Sequence, residues 1–357
     1  MYKRQILAFP ILSHSGTVLI HADVALTEEL IERAINLGVR TVYIKDEKEG
    51  IVRENTSDSD TAREEEEYPY RLEETANNSR QIVKKILEKH IYKHNEELKI
   101  IVNEAQRILD TVIAEPEVVN NITEIRNVST DMYTHCINVC TLSIIMALRL
   151  KMSNKQIHNI AMGAILHDIG LRYINVPYVN VSENKMTNKD AVEYKKHTIF
   201  GYSSLQDEEW LPDVAKEIIL FHHERIDGSG YPFQHKGDRL KPEVKLVSIC
   251  DDFDSMISGI GSEKMKIYEA IEYIKVHSGV KYDPTIASKF LDSVAAYPVG
   301  CTVYTSDGEK AVVIRQNKEA ADRPVIRMTE HADGTPYTEN VEYNLLKQLT
   351  MFIVDTE

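Results

Sequence analysis

Histidine and aspartate recur at five places along a stretch of helical character, and their spacing restricts the fold more than any other feature. The intervals between these places are about 25 to 32 residues. That length accommodates one helix and its return connection, so successive helices of a bundle can each direct ligands into a shared interior. The sequence therefore predicts a helical bundle around one polar centre. The five places are His135, His167-Asp168, His197, His222-His223 and Asp251.

The sequence around these places favours helices and shows no strand alternation. Apolar residues recur at helical spacing through residues 72–114 and again through residues 132–150. Segments 155–166, 213–221 and 264–276 carry mixed apolar and charged faces. The pattern at 72–114 allows two arrangements, which are packing inside the chain and a coiled-coil seam in a homodimer.

The two ends of the chain differ from this helical middle. A β-prone segment at 17–20, a helix capped by Thr27 and a strand at 39–44 predict a small α+β module. After residue 298, a hairpin around 306–308 and a strand at 324–328 predict a small β appendage. We therefore expect a mainly α protein in four parts: an N-terminal α+β module with an acidic linker (1–68), a long helical connector (69–125), a catalytic helical bundle (126–296) and a β-rich appendage (297–357).

The charge balance restricts the partners. There are 42 Lys and Arg against 56 Asp and Glu, and the formal net charge of -14 argues against binding duplex nucleic acid or an anionic membrane. The four cysteines are too sparse for a disulfide scaffold, and no apolar stretch approaches the roughly 20 residues of a membrane-spanning helix. We therefore expect a cytoplasmic protein that does not bind membranes.

The residue types at the five places suit a metal site. Imidazole nitrogens and carboxylate oxygens bind first-row divalent cations such as Fe, Mn and Zn, and one aspartate can bridge two ions through its two oxygens. Two ions that share a hydroxide would bind a phosphodiester and supply a nucleophile at neutral pH. This inventory is typical of a metal-dependent hydrolase.

Two motifs in this set resemble those of a known family. HDIG at residues 167–170 and HHERIDGSGYP at residues 222–232 resemble the HD-GYP domain, a branch of the HD hydrolases. The similarity extends to Thr187 and Asp190 and to GVKYDP at residues 279–284, and it covers roughly residues 126–295. The resemblance implies an HD-type helical bundle and a bacterial signalling phosphodiesterase that opens the cyclic dinucleotide cyclic di-GMP to pGpG and often to GMP.

The resemblance also implies how the ligands divide between ions. One ion would be bound by His135, His167, Asp168 and Asp251. Asp168 would bridge to a second ion bound by His197, His222 and His223. Asp168 and His167 are then the central catalytic residues, and the expected cofactors are two Fe or Mn ions. A third ion is left open, because some relatives hold one with an acidic residue four positions before the first histidine, which is Asp131 here.

The HHERIDGSGYP segment supplies further candidate residues. Gly228 and Gly230 permit turns and a close backbone approach to substrate that a Cβ would block. Tyr231 offers a flat surface to a base or a ribose, with a purely structural turn as the alternative. We expect Glu224 to support a ligating histidine, with a solvent-exposed role as the alternative, and Asp227 to support the site by shaping the turn.

The chain departs from the family where substrate phosphates are bound. Relatives usually carry basic residues at the positions of Leu171, Ile260 and Glu263. Since a charge-assisted hydrogen bond contributes about 1.5 to 3 kcal/mol, these changes would weaken binding of a dianion by several powers of ten unless neighbours compensate. The neighbouring cations are Arg172, Lys185, Lys264 and Lys266, and we take Arg172 as the candidate for a substrate contact.

Three functions are compatible with these observations. The first is a cyclic di-GMP phosphodiesterase with altered substrate contacts. The second is a degenerate sensor or scaffold whose metal site is structural, which the residues at 171, 260 and 263 favour. The third is a hydrolase of another cyclic dinucleotide or phosphoester.

Overall fold

The computed structural model describes residues 68–89, 98–114, 131–317 and 320–356, together with short pieces of the first 45 residues. The predicted acidic linker and most of the predicted N-terminal helix lie outside the described residues. In the described part, no helix combines the length and the hydropathy needed to cross a membrane.

The N-terminal pieces are two pairs of short antiparallel strands. β1 (Ile6–Leu7) pairs with β4 (Ile44–Lys45), and β2 (Ile11–Leu12) pairs with β3 (Val18–Ile20). The hydroxyl of Thr27 accepts the backbone N–H of Leu30 at 3.3 Å, as the predicted helix cap requires.

Helices occupy most of the described chain between residues 68 and 291. They are α1 (Tyr68–Lys89), α2 (Leu98–Ala114), α3 (Met132–Arg149), α4 (Asn154–Leu166), α5 (Asn188–Lys195), α6 (His197–Leu205), α7 (Asp213–Phe221), α8 (Pro242–Ser258), α9 (Ile267–Val276) and α10 (Pro284–Leu291). Two 3-10 turns, Ile169–Tyr173 and Glu183–Lys185, lie between α4 and α5.

Local sequence signals fix the ends of the helices that carry the site. Ser153 and Gln156 form a capping box at the start of α4. Pro242 occupies the first turn of α8, where its missing N–H costs nothing, and Gly259 ends that helix. α4 and α8 therefore begin where their sequences specify.

The helices share one hydrophobic core. α1 and α2 pack on each other and on α3, while α3, α4, α7 and α8 pack on one another. Leu72, Val83, Ile101 and Ile108 of the first two helices are fully buried in this core. Of the two arrangements that the sequence allows for this segment, the structure shows packing inside the chain.

The C-terminal residues form a separate small sheet. Its strands are β5 (Thr302–Thr305), β6 (Lys310–Asn317), β7 (Ala320–Glu330), β8 (Glu342–Asn344) and β9 (Ile353–Thr356). They are antiparallel in the order β8-β7-β6-β5-β9 and enclose a core that includes Val303, Ala311 and Ile326. Lys266, just before α9, joins this sheet to the bundle through the Asp355 carboxylate and the Thr356 carbonyl. The predicted mainly α fold with a small C-terminal β appendage is confirmed.

One aromatic pair tests the assigned core. Phe253 of α8 and Phe290 of α10 are fully buried, with ring centroids 5.0 Å apart. We expect Phe290→Ala to lower the free energy of unfolding by about 3 to 5 kcal/mol, because it leaves a cavity between these helices. Urea unfolding followed by circular dichroism measures the loss. Val276→Ala, at a side chain that is 70% exposed, is the control and should change stability by less than about 0.5 kcal/mol. Equal effects of the two substitutions would contradict the assigned core.

Candidate metal centre

The structure brings seven of the sequence-predicted ligands together, from helix interiors and from helix ends. His135 and Asp251 project from the interiors of α3 and α8. The other five lie where helices begin or end: His167 and Asp168 after α4, His197 at the start of α6, and His222 and His223 after α7. The bundle therefore supplies its ligands mainly from helix termini, where the backbone carbonyls of the last turn are available as acceptors.

Three of the histidines are oriented by a backbone carbonyl three residues earlier in the chain. Because a carbonyl oxygen can only accept, Nδ1 carries the hydrogen and Nε2 is left as the metal-binding nitrogen. The pairs are His167 Nδ1 with Ala164 O at 2.7 Å, His197 Nδ1 with Tyr194 O at 2.7 Å, and His222 Nδ1 with Ile219 O at 3.0 Å.

His135 is oriented by a carboxylate instead of a carbonyl. Its Nδ1 lies 2.8 Å from Asp254 Oδ2, and its Nε2 lies 3.0 Å from Asp251 Oδ1. A carboxylate on the outer nitrogen of a ligating histidine fixes the ring and raises its basicity. Asp254 is absent from the set found by sequence reasoning, although it lies three residues after Asp251 and therefore on the same side of α8.

The donor atoms fall into groups that share Asp168. One group contains His135, His167 and Asp168, and another contains Asp168, His197, His222 and His223. Within each group the ligand atoms lie within 4.8 Å of one another. Asp251 lies between the two sides, since its Oδ1 is 3.0 Å from His135 Nε2 and 3.5 Å from His167 Nε2, while its Oδ2 is 3.7 Å from His223 Nδ1. Two further groups, which are His167 with His222 and Asp251, and His223 with Asp251 and Asp252, cross between the sides. The division of ligands implied by the family resemblance therefore stays a prediction.

The buried carboxylates dominate the electrostatics. Burial opposes ionisation of Asp168, but the surrounding imidazoles, with His167 first among them, together outweigh it and hold the aspartate pKa well below its usual range. Burial likewise opposes protonation of His135, yet its hydrogen bonds to Asp251 and Asp254 raise its pKa to about 10. In the donor group that contains His197, His222 and His223, burial lowers the pKa of His197 to about 4. The centre therefore attracts cations on the side of His135 and offers neutral imidazole on the side of His197.

Two orphaned oxygens indicate that these residues fit a metal. Asp168 Oδ1 and Asp251 Oδ2 are buried and have no hydrogen-bond partner. The nitrogens nearest to Asp168 Oδ1 are Nε2 of His197 at 3.3 Å and Nε2 of His222 at 3.6 Å, the nitrogens that carry no hydrogen to donate. Because an unpaired buried carboxylate oxygen is costly, the site fits a divalent cation bound by imidazole and carboxylate.

Gly170 of the HDIG motif allows the close packing that places Asp168 beside His197. A Cβ at position 170 would lie 1.8 Å from the carbonyl oxygen of His197. The turn after α4 can therefore touch the start of α6 only with glycine at this position. Leu171, the next residue, is buried in the hydrophobic core.

Asp131 lies apart from the two ligand groups. Its carboxylate caps α3 by accepting the backbone N–H of Thr134 at 3.0 Å, and it forms an ion pair with Arg80 of α1. Among the described residues, Asp131 does not belong to a group of donors close enough to share an ion. Its predicted role as a ligand of a third ion stays a prediction.

The HHERIDGSGYP segment folds as a tight loop against the end of α7. At Gly230, a Cβ would lie 2.3 Å from the carbonyl oxygen of His223, so only glycine permits this approach. Gly228 has φ of 81° and lies in the turn, and Asp227 Oδ1 accepts the backbone N–H of Ser229 at 2.9 Å. Asp227 thus shapes the turn, as the sequence predicts.

Glu224 has different partners from the predicted ones. Instead of contacting a ligating histidine, its two carboxylate oxygens accept the backbone N–H groups of Phe233 at 2.7 Å and His235 at 2.9 Å. The side chain is buried, and these two loop amides would lack an acceptor without it. The Glu224 carboxylate therefore closes the loop. Its effect on the metal centre is therefore through loop shape.

Tyr231 lies beside one of the predicted metal ligands. Its ring stacks on His223 with centroids 4.7 Å apart and 27° between the planes, and Lys195 Nζ lies 5.3 Å from the tyrosine ring centroid. Tyr231 is therefore part of the wall beside the ligand His223. The predicted contact with a base or ribose stays a prediction.

A partly buried network of polar side chains, missed by sequence reasoning, joins the end of α7 to α8. Arg225 Nη2 donates to Asp252 Oδ1 at 2.6 Å, and Arg225 Nη1 donates to the carbonyl oxygen of His222 at 3.0 Å. The hydroxyl of Tyr282, from the GVKYDP segment, donates to Asp252 Oδ2 at 2.7 Å. This network holds the two histidines after α7 in register with Asp251. The sequence offered one signal for this network. Because adjacent residues on a helix point to different neighbours, an aspartate directly after Asp251 is expected to have a partner outside the predicted ligands.

The positions expected to bind substrate phosphates have other uses here. Ile260 is buried and forms a β-bridge with Val179, while Glu263 forms an ion pair with Lys185. Arg172 lies in the 3-10 turn Ile169–Tyr173, after α4 has ended, and is partly buried. Its predicted substrate contact stays a prediction.

Two parts of the chain match known domain families. Residues 117–286 match the HD domain family, and residues 302–356 match the KOW domain associated with HD domains. The chain is 26% identical to the cyclic di-GMP phosphodiesterase PA4108 of Pseudomonas aeruginosa, over 61% of this chain and 52% of that protein. It is 32% identical to a cyclic di-GMP phosphodiesterase of Thermotoga maritima, over 49% of this chain and 47% of that protein.

The chain thus spans about half the length of these two relatives. Among solved structures, Bd1817, described as an HDG"Y"P protein from Bdellovibrio bacteriovorus, superposes with a TM-score of 0.55 and 19% identity. The superposition covers 81% of this chain and 95% of that one. It shows that the two chains share a fold.

The contact between Asp254 and His135 gives a test of the centre. We expect Asp254→Asn to weaken metal binding by about tenfold or more, because the neutral amide no longer supports the basicity of the ligating imidazole. Calorimetric titration of the metal-free protein with Mn²⁺ measures the affinity. Asp292→Asn, at an exposed side chain after α10, is the matched control and should leave the affinity unchanged. Unchanged affinity in Asp254→Asn would contradict the assigned role.

Proposed function

Because the chain belongs to the HD-GYP family through its HD domain at residues 117–286, we propose that it is a metal-dependent phosphodiesterase that hydrolyses cyclic di-GMP to pGpG, GMP or both. The observation that carries this proposal is the pair of donor groups that share Asp168. The relatives from Pseudomonas aeruginosa and Thermotoga maritima are cyclic di-GMP phosphodiesterases, which supports the choice of substrate.

We assign two ions to the two donor groups, with Fe or Mn as the expected metals. His135, His167 and Asp251 would hold one ion and His197, His222 and His223 the other, with Asp168 between them. When bound, such ions supply Lewis acidity and a water of lowered pKa. The two oxygens of Asp168 point to different groups, since Oδ2 is 3.6 Å from His135 Nε2 and Oδ1 is 3.3 Å from His197 Nε2.

The chain contributes orientation and a dry environment. The backbone carbonyls that accept from Nδ1 keep three imidazole rings in one tautomer, and Asp254 does the same for His135. The buried surroundings of Asp168 and Asp251 strengthen their interaction with cations, because little water competes. Ligands held in this way need not reorganise when substrate binds.

A second candidate function is a degenerate sensor or scaffold whose metal site is structural. The residue types of Leu171, Ile260 and Glu263 favour it, because none of them offers a positive charge to a substrate phosphate. A third candidate keeps hydrolysis but acts on another cyclic dinucleotide. A substrate panel separates the third candidate from the first.

The proposed activity predicts a specific loss on substitution of Asp168. Protein loaded with Mn²⁺ or Fe²⁺ should linearise cyclic di-GMP, and Asp168→Ala should abolish turnover because it removes the ligand shared by both donor groups. Chromatography of the nucleotide products, together with metal analysis of each variant, checks this. Asp292→Ala is the control and should retain wild-type turnover.

The alternatives give different results in the same assay. Binding of cyclic di-GMP by calorimetry without any product would support the sensor. A wild type that carries its metals and leaves every cyclic dinucleotide intact would reject hydrolysis.

A further inference from the structure

The three positions at which relatives carry basic residues offer no positive charge to a second phosphate here. A cyclic dinucleotide carries two phosphodiesters on opposite sides of one macrocycle, so one phosphate at the metals leaves the other displaced from them. Leu171 and Ile260 are buried, and Glu263 is itself acidic. Lys185 and Lys266 pair with Glu263 and Asp355, as Lys195 pairs with Glu183, so the feature that distinguishes Lys195 is its position over the ring of Tyr231.

Lys195 lies close to the predicted metal ligands and is separated from them by the ring of Tyr231. It occupies the last turn of α5, two residues before the ligand His197. Its Nζ is 5.3 Å from the ring centroid of Tyr231. That ring stacks on the ligand His223 at 4.7 Å. The ammonium group is therefore beside the centre but separated from it by the width of a tyrosine ring.

The present partner of Lys195 is exchangeable. Lys195 Nζ lies 2.5 Å from Glu183 Oε1, and the two side chains are 38% and 41% exposed. An ion pair in contact with water contributes little to stability, so a phosphate can replace the glutamate at small cost. Tyr231 holds the ammonium by a cation–π contact while that exchange occurs.

We propose that Lys195 binds the phosphate of the cyclic dinucleotide that is not being cleaved, and that Glu183 competes with this phosphate for the lysine. The proposal rests on the function proposed above, because it takes the scissile phosphate to lie at the metals. It makes Lys195 a determinant of specificity for substrates with two phosphates. A substrate with a single phosphodiester would not reach the lysine.

Two substrates and two lysines test the proposal. Lys195→Met should raise KM for cyclic di-GMP by about tenfold or more, since it removes one charge-assisted hydrogen bond. It should leave hydrolysis of bis(p-nitrophenyl) phosphate, which has one phosphodiester, within about twofold of wild type. The matched control is Lys196→Met, because Lys196 is the next residue and its Nζ pairs with Glu193 of α5 at 2.8 Å. The control should alter neither the KM for cyclic di-GMP nor the hydrolysis of bis(p-nitrophenyl) phosphate.

The competing carboxylate gives a change of opposite sign. Glu183→Gln should lower KM for cyclic di-GMP severalfold, because it releases Lys195 from its partner. The effect should vanish in the double variant with Lys195→Met. A Glu183→Gln variant that binds cyclic di-GMP no better than wild type would overturn the competition.

The outcomes separate this proposal from the proposed function. An equal loss on both substrates in Lys195→Met, with a loss of bound metal, would overturn the phosphate contact in favour of a structural role. The dissociation constant for cyclic di-GMP is measured by calorimetry in parallel with turnover, so the proposal can be tested even if the wild type is inactive. If the wild type binds without hydrolysing, the phosphodiesterase is rejected and the Lys195→Met binding defect still decides this proposal. If it neither binds nor hydrolyses, both are overturned.

Discussion

Two carboxylates are held away from water in the middle of this protein, and the positive charge that they require explains the arrangement around them. Asp168 and Asp251 each keep one oxygen without a hydrogen-bond donor. An unpaired buried carboxylate oxygen is costly, and a divalent cation bound at this place would supply the missing partner of both oxygens. The raised pKa of His135, which burial alone would lower, reflects the same demand.

The helical bundle meets this demand with short connections between backbone and ligand. The carbonyl oxygens that would be left unsatisfied at the ends of α4 and α7 accept from the imidazoles of His167 and His222. One contact therefore completes the helix end and fixes the tautomer of the ligand. The glycine at position 170 then brings the start of α6, with His197, against the first of these helix ends. His167, His197 and His222, which are distant in sequence, thus become neighbours largely through backbone contacts.

The sequence specified the ligands better than their supports. The seven predicted donors could be picked out because histidine and aspartate recur about one helix and one connection apart, within motifs that resemble those of a known family. The support of His135 by Asp254 and the network of Arg225, Asp252 and Tyr282 depend on which helix faces meet, and periodicity does not determine that. For Glu224 the sequence predicted a partner that the structure does not show. Its residue type fitted a contact with a ligating histidine, but the carboxylate accepts from two loop amides instead. The packing of α1 and α2 inside the chain was one of two arrangements that the same apolar pattern allows.

The most direct test of this account is the position of the metals themselves. Crystals of the manganese-loaded protein, measured at the manganese absorption edge, should show two anomalous peaks on either side of the Asp168 carboxylate, one toward His135 and His167 and the other toward His197 and His222. Manganese found elsewhere on the chain, with none between these imidazoles, would contradict the account.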